Sequence, residues 1–190
     1  MAMTSVFLDR DGTINREVDH LRRVDELELY YGAAEAIRRL NRAGLKVIIV
    51  TNQAGVARGL FSEEQLAEIH HVLQGMLARE GAFVDAIYYC PHHPTEGLGK
   101  YLQACDCRKP NPGSLFQAAR DLDIDLKTSF FVGDKRSDLE AGQAAGCRTV
   151  LVRTGYGLLT ESSKEDQRAR PDHIATNLLE AAEWILAQRN

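Results

Sequence analysis

The chain has 190 residues, and its 23 Lys and Arg stand against 27 Asp and Glu for a formal net charge of −4. Its 44% apolar and 26% charged content is that of a globular protein, and 15 glycines and 5 prolines are too few for a fibrous or disordered one. The mild acidity argues against a groove that tracks nucleic-acid phosphates, so no nucleic-acid partner is expected.

The chain opens without a basic segment leading into a long apolar one, so no signal peptide is expected. No run approaches the roughly 18 apolar residues of a membrane span, so no membrane partner is expected either. The expected location is cytoplasmic, where thiols stay reduced.

The first predicted strand covers residues 5–8. A helical pattern over 32–43 places Ala33, Ala36, Ile37 and Leu40 on one face, with Gly44 as its stop. The strand at 46–51 contains Val47-Ile48-Ile49-Val50, a continuous apolar run of the kind found in strands buried on both faces. The helix at 62–79 opens with Ser62 and Gln65 in capping-box register and carries Leu66, Ile69, Leu73 and Leu77 as a stripe. A strand at 86–89 follows. Pro112 suits a first helical position, leading a helix to about 122. The remaining strands are 129–132, 149–152 and a weaker one near 172–175. The remaining helices are 138–145 and 177–188, and the polar stretch 160–170 reads as a surface loop. Strands alternating with helices imply an α/β fold, a three-layer, Rossmann-like parallel sheet with helices on both faces. No insertion is long enough for a second domain or a large cap, so residues 1–190 are expected to form one domain.

Ligands of such sheets bind beyond the carboxyl ends of the strands. After the first strand stands Asp9-Arg10-Asp11-Gly12-Thr13. Residues two apart in extended chain point to one side, so Asp9 and Asp11 can address one site. After the second comes Thr51-Asn52-Gln53, and after the fourth Gly133-Asp134-Lys135. Carboxylates with small hydroxyl and amide donors suit a magnesium ion and a phosphate.

Asp9-x-Asp11-Gly12-Thr13, Thr51, Lys109 and Gly133-Asp134 resemble the four motifs of the haloacid dehalogenase phosphatase superfamily. The resemblance implies that Asp9 is the nucleophile and Asp11 the acid and then the base; because only one of the two aspartates would lie against the metal, Asp11, facing the leaving group, is expected to hold a proton at a raised pKa. It implies that Asp9, Asp134 and the backbone carbonyl of Asp11 hold magnesium, and that Thr51 and Lys109 hold the phosphoryl oxygens. Lys135 is expected to neutralise Asp9 or Asp134, and Asp138 is a candidate supporting partner.

Three of the four cysteines fall within residues 90–107. Cys90 is spaced C-x-H with His92, Cys105 is spaced C-x-C with Cys107, and twelve residues separate the pairs. Two close pairs across a loop are what a closed, structural zinc site needs. Spacing alone leaves His92 and His93 open as the fourth ligand. Cys107 runs directly into Arg108 and Lys109, so zinc would organise the loop that aims both cations. Arg108 would then meet a distal part of the substrate. Cys147 reads as a small buried apolar residue. His20, His70, His71 and His173 read as surface or packing histidines, and Trp184 as core.

Phe7-Leu8-Asp9-Arg10-Asp11-Gly12-Thr13-Ile14-Asn15, residues 51–59, the cysteine loop and residues 152–157 resemble the heptose bisphosphate phosphatases within that superfamily. That resemblance selects His92 as the zinc ligand. It implies a sugar bisphosphate substrate contacted by Asn52, Gln53, Arg108 and Lys135 and hydrolysis of its 7-phosphate; a monomer is the default expectation for a small acidic chain. Arg58 is a further candidate for the second phosphate. Residues 17–23 lack a Gly-Tyr pair that many of these enzymes carry, so no sugar contact is carried over there. Histidinol-phosphate phosphatase is the alternative, although its zinc loop is typically shorter.

Overall fold

The computed structural model describes residues 3–163 and 169–188. Among the described residues six strands form one sheet: β1 (Ser5–Leu8), β2 (Lys46–Asn52), β3 (Ala86–Cys90), β4 (Phe130–Gly133), β5 (Arg148–Val152) and β6 (His173–Ala175). Their order is β3-β2-β1-β4-β5-β6, and every pairing is parallel. The chain first builds outward from β1 through β2 and β3, then returns to β1's other side with β4. That reversal makes the β1/β4 boundary the point where a crevice opens at the carboxyl ends.

Among the described residues the α-helices around the sheet are α1 (Ala33–Arg42), α2 (Ala54–Ala57), α3 (Glu63–Arg79), α4 (Gly113–Leu122), α5 (Arg136–Ala145), α6 (Gly157–Ser162) and α7 (Leu178–Ala187). Strand alternation sorts the core into two layers. Val6, Leu8, Val47, Ile49, Phe130 and Val132 face α1, α3 and α7, which bury Ile37, Leu40, Leu73 and Ile185 there. Phe7, Ile48, Val50 and Phe131 face the other way, against Leu115 and Ala118 of α4 and Ala141 of α5. The three-layer arrangement expected from the continuous apolar runs is therefore present, and Cys147 packs in the second layer.

Helix ends follow local chemistry. Ser62 Oγ accepts from Gln65 N (3.2 Å) while Gln65 Oε1 accepts from Ser62 N (2.9 Å), closing the expected capping box. Pro112 sits at the cap, one residue before the first helical position. α5 begins two residues earlier than periodicity suggests. Asp138 Oδ2 accepts from Lys135 N (2.9 Å), so an acidic side chain in the first turn pins the start. The 160–170 stretch is helical at its beginning, where Thr160 Oγ1 donates to Asp134 O (2.8 Å); residues 164–168 lie outside the described residues. Trp184 is partly buried, with His173 stacked on it at 4.8 Å. Among the described residues no helix is long and apolar enough to cross a membrane.

Ile49 is fully buried, and Tyr31 is 96% exposed. Ile49→Ala is expected to cost about 2–5 kcal/mol of unfolding free energy, measured by urea denaturation, and Tyr31→Ala less than about 0.5 kcal/mol.

Candidate active site

Asp9 continues β1 by one residue, its N–H donating to Val132 O (3.0 Å), and Asp134 follows β4 directly. The two carboxylates thus emerge from neighbouring strands at the crevice. Asp138, on the first turn of α5, joins them. One carboxylate oxygen from each of Asp9, Asp134 and Asp138 lies within 4.8 Å of the others. Lys109 Nζ sits 2.9 Å from Asp9 Oδ1 and 2.7 Å from Asp138 Oδ1, and donates to Val50 O (2.8 Å). All four side chains are buried. Burial lowers the pKa of Lys109, but Asp138 and Asp9 outweigh it and raise the pKa. Asp134 is pushed up to about 8 by burial and by the neighbouring charges of Asp9 and Asp138. Its Oδ2 accepts from Tyr156 N (2.8 Å), while its Oδ1 is buried without a protein partner. A buried carboxylate oxygen aimed into a group of three acids and one ammonium fits a divalent cation.

The loop after β5 closes over this group. Thr154 Oγ1 donates to Gly12 O (2.6 Å), and Gly155 N donates to Tyr30 Oη (3.1 Å). Gly12 has φ +85°, and a Cβ there would stand 2.1 Å from Asp134 Oδ2. Glycine is therefore required twice over, for the left-handed backbone and for the space.

Asp11 is held on a different side of the site. Arg10 Nε donates to its Oδ1 (3.1 Å), and Arg10 Nη2 to both oxygens (2.9 and 2.8 Å). Asn15 Nδ2 (2.9 Å) and Gln53 Nε2 (2.8 Å) complete the set. Burial raises the Asp11 pKa, but Arg10, Asn15 and Gln53 outweigh it and lower the pKa below the usual carboxylate range. The raised pKa expected for an acid is not that of this arrangement, because the Arg10 fork and the Asn15 and Gln53 amides favour the ionised carboxylate. Arg10 is itself fully buried, and its Nη1 lies 3.1 Å from His70 Nε2. His70, expected to lie on the surface or in packing, is buried and hydrogen-bonded; its pKa is lowered to about 3 by burial and by Arg10.

Cys90, His92, Cys105 and Cys107 converge as a second cluster. Cys105 Sγ lies 3.4 Å from Cys90 Sγ and 3.2 Å from Cys107 Sγ, and His92 Nδ1 lies 3.8 and 3.5 Å from Cys90 and Cys107. Zn–S bonds of about 2.3 Å in a tetrahedron give S–S edges of about 3.8 Å, so this donor set fits zinc with little adjustment. His93 turns away, its Nδ1 accepting from Glu96 N (2.9 Å) and Thr95 N (3.3 Å).

The other predicted contacts are distributed around the site. Thr51 is buried at the end of β2, its Oγ1 accepting from Gln53 Nε2 (2.9 Å), so Gln53 bridges Thr51 to Asp11. Asn52 clamps the backbone of Lys109, donating to its O (2.9 Å) and accepting from its N (3.0 Å). Arg108 Nη1 donates to His92 O (3.2 Å). Lys135 Nζ donates to Glu17 Oε2 (2.7 Å) and lies 4.9 Å from the Tyr156 ring centroid. Arg58 bridges His20 (2.7 Å) and Glu96 (2.8 Å), linking residues 17–20 to the cysteine loop. Arg10 is the residue that the sequence left outside the site, whereas Asp138, expected as a supporting partner, joins the acid group itself. Spacing carried a signal for Asp138, one turn beyond Asp134. Arg10 stands between two aspartates and gives no pattern of its own.

A family model described as HAD-hydrolase-like matches residues 106–181. The chain is 46% identical over 162 residues to a Pasteurella multocida protein named D-glycero-beta-D-manno-heptose-1,7-bisphosphate 7-phosphatase, covering 85% of this chain and 88% of that one. It is 42% identical over 189 residues to the D-glycero-D-manno-heptose-1,7-bisphosphate 7-phosphatase of Thermosynechococcus vestitus, covering 97% and 96%. Among solved structures it is similar to the D,D-heptose 1,7-bisphosphate phosphatase of B. bronchiseptica complexed with magnesium and phosphate. That similarity has a TM-score of 0.87 and 38% identity, and covers 98% of this chain and 99% of that one.

Gly12→Ala is expected to destabilise the fold by at least about 1–2 kcal/mol from backbone strain, with a further loss from displacing Asp134. A melting temperature equal to the parent's would contradict this packing.

Proposed function

Because the chain belongs to the heptose-1,7-bisphosphate 7-phosphatase family of haloacid-dehalogenase-like hydrolases, we propose that it removes the 7-phosphate of D-glycero-D-manno-heptose 1,7-bisphosphate. The observation that carries this reading is the buried group of Asp9, Asp134, Asp138 and Lys109, sited where two parallel strands diverge. Magnesium and phosphate in the B. bronchiseptica relative support the same chemistry. The similarity of the whole chain to heptose enzymes favours that substrate over histidinol phosphate. The protein works as a cytoplasmic monomer on a soluble sugar bisphosphate.

Asp9 Oδ1 is held by Lys109 and by Arg10 N–H (2.8 Å), which leaves Oδ2 as the attacking oxygen. Asp9 attacks phosphorus as the phosphorus–sugar oxygen bond breaks, and Asp11, ionised in this arrangement, takes a proton from solvent as the charged phosphate enters beside it and gives that proton to the departing oxygen. The acyl phosphate on Asp9 is then attacked by water, whose proton Asp11 takes, and the Asp9–phosphorus bond breaks to free phosphate. Thr51 Oγ1 and Lys109 Nζ hold the phosphoryl oxygens, where charge builds. Lys109 also reduces the repulsion between the nucleophilic carboxylate and the incoming phosphate. Asp9, Asp134 and the Asp11 carbonyl would hold magnesium, which would supply charge neutralisation at the phosphoryl group. Cys90, His92, Cys105 and Cys107 would hold zinc, which would cross-link a loop too long to aim Lys109 and Arg108 unaided. Arg108, Lys135, Asn52 and Gln53 are the contacts available to the rest of the substrate.

Asp9→Asn is expected to lower kcat by at least about 10³-fold, and near-normal turnover would rule out Asp9 as nucleophile. In side-by-side assays kcat/KM should be higher on heptose 1,7-bisphosphate than on histidinol phosphate; the reverse order overturns the substrate assignment. Chelating zinc in excess magnesium should lower activity or melting temperature. Full activity and an unchanged melting temperature in protein shown by elemental analysis to be zinc-free would remove the role given to the cysteine loop.

A further inference from the structure

Arg10 stands between two aspartates, yet its guanidinium is fully buried and reaches the side chain of His70 on α3 rather than solvent. Its five N–H donors lie in a rigid plane. Nε and Nη2 take Asp11 in a fork, and Nη1 is left to reach His70 Nε2 at 3.1 Å. Arginine can only donate, so Nε2 of His70 must accept, and the imidazole is neutral with its proton on Nδ1. A protonated ring would set N–H against N–H. The His70 ring is also packed near Tyr89, with centroids 6.0 Å apart, and Tyr89 Oη donates to Glu63 Oε2 (2.6 Å) at the start of α3. His70 is thus a fixed acceptor on a long helix, and it fixes the plane of the fork.

We propose that His70, acting through Arg10, is a positioning residue for the acid–base work of Asp11. His70 touches neither Asp11 nor the site of the phosphoryl group, so its influence passes through the guanidinium. With the acceptor in place, Arg10 can swing neither toward Asp9 nor out of the Asp11 plane. The Asp11 carboxylate is then presented from one direction, with Asn15 and Gln53 on its other sides. This inference rests on the reading of Asp11 as the acid and base.

A leaving-group comparison tests it. The sugar oxygen of heptose 1,7-bisphosphate needs a proton to depart, whereas p-nitrophenolate leaves without one. Both esters are assayed in the zinc- and magnesium-loaded full chain. His70→Leu is expected to lower kcat/KM on heptose 1,7-bisphosphate about tenfold or more, a fraction of the roughly 10²–10⁴-fold an acid–base group supplies, and on p-nitrophenyl phosphate by less than about threefold. His70→Gln, which keeps an acceptor, should restore the first value to within about threefold. Equal losses on both esters, or no rescue by glutamine, would overturn the role of His70. Should His70→Leu not fold, Arg10→Lys carries the same test, because lysine keeps the charge but not the fork: a selective loss supports the proposal and an equal loss overturns it. Asp11→Asn serves as the reference. If it too loses equally on both esters, the assignment of Asp11 as acid fails; if its loss is selective and that of His70→Leu is not, only the present inference fails.

Discussion

Three carboxylates buried around one ammonium set the terms for the rest of this structure. Asp9, Asp134 and Asp138 are each less than 5% exposed, and Lys109 is the cation in direct contact with two of them. Burying like charges together is costly unless they are paired or share a cation. The fold tolerates the arrangement because the acids come from different elements: one after β1, one after β4 and one on the first turn of α5. The parallel sheet forces the strand ends together whatever the residues at those ends prefer. The raised pKa of Asp134 reflects this crowding.

The same constraint explains the cysteine loop. Lys109 is delivered by a segment between β3 and α4 that has little core of its own, yet it must penetrate to the end of β2. Asn52 holds its backbone on both sides, and the Lys109–Pro110 peptide is cis. The sulfur and imidazole cluster ends two residues before Lys109. Tyr101 ties the middle of the loop to Glu63 of α3 (2.5 Å), beside the ring of His92. A lysine whose position is fixed from both directions can be matched to a phosphoryl oxygen, which a mobile loop could not achieve.

Much of this was legible in the sequence because the signals were local. The apolar runs of β2 and β5 required cover on both faces, and Ser62 with Gln65 marked the start of α3. The carboxylates after β1 and β4 were visible as motifs, and the C-x-H and C-x-C pairs marked the second cluster. The unforeseen features depend on the third dimension. Asp138 enters the acid group only because α5 starts at Arg136, which periodicity placed two residues later. Arg10 alternates away from Asp9 in an extended strand, and nothing local says that its fork bends back to Asp11 or that His70, 60 positions on, receives it. The amides of Asn52 and Gln53 hold Lys109 and Asp11 here, a scaffold role that a polar side chain at a strand end does not announce in the sequence. His92 and His93 are alike in spacing and are separated only by which way the loop turns.

The central claim is that the acid group is an incomplete charge set that a divalent cation completes. The most direct measurement is the unfolding free energy of the zinc-loaded protein against free magnesium, without substrate. Stability should rise by RT ln(1 + [Mg²⁺]/Kd), and Asp134→Asn should flatten that rise. An unfolding midpoint that stays constant across the magnesium range supporting full activity would contradict the account.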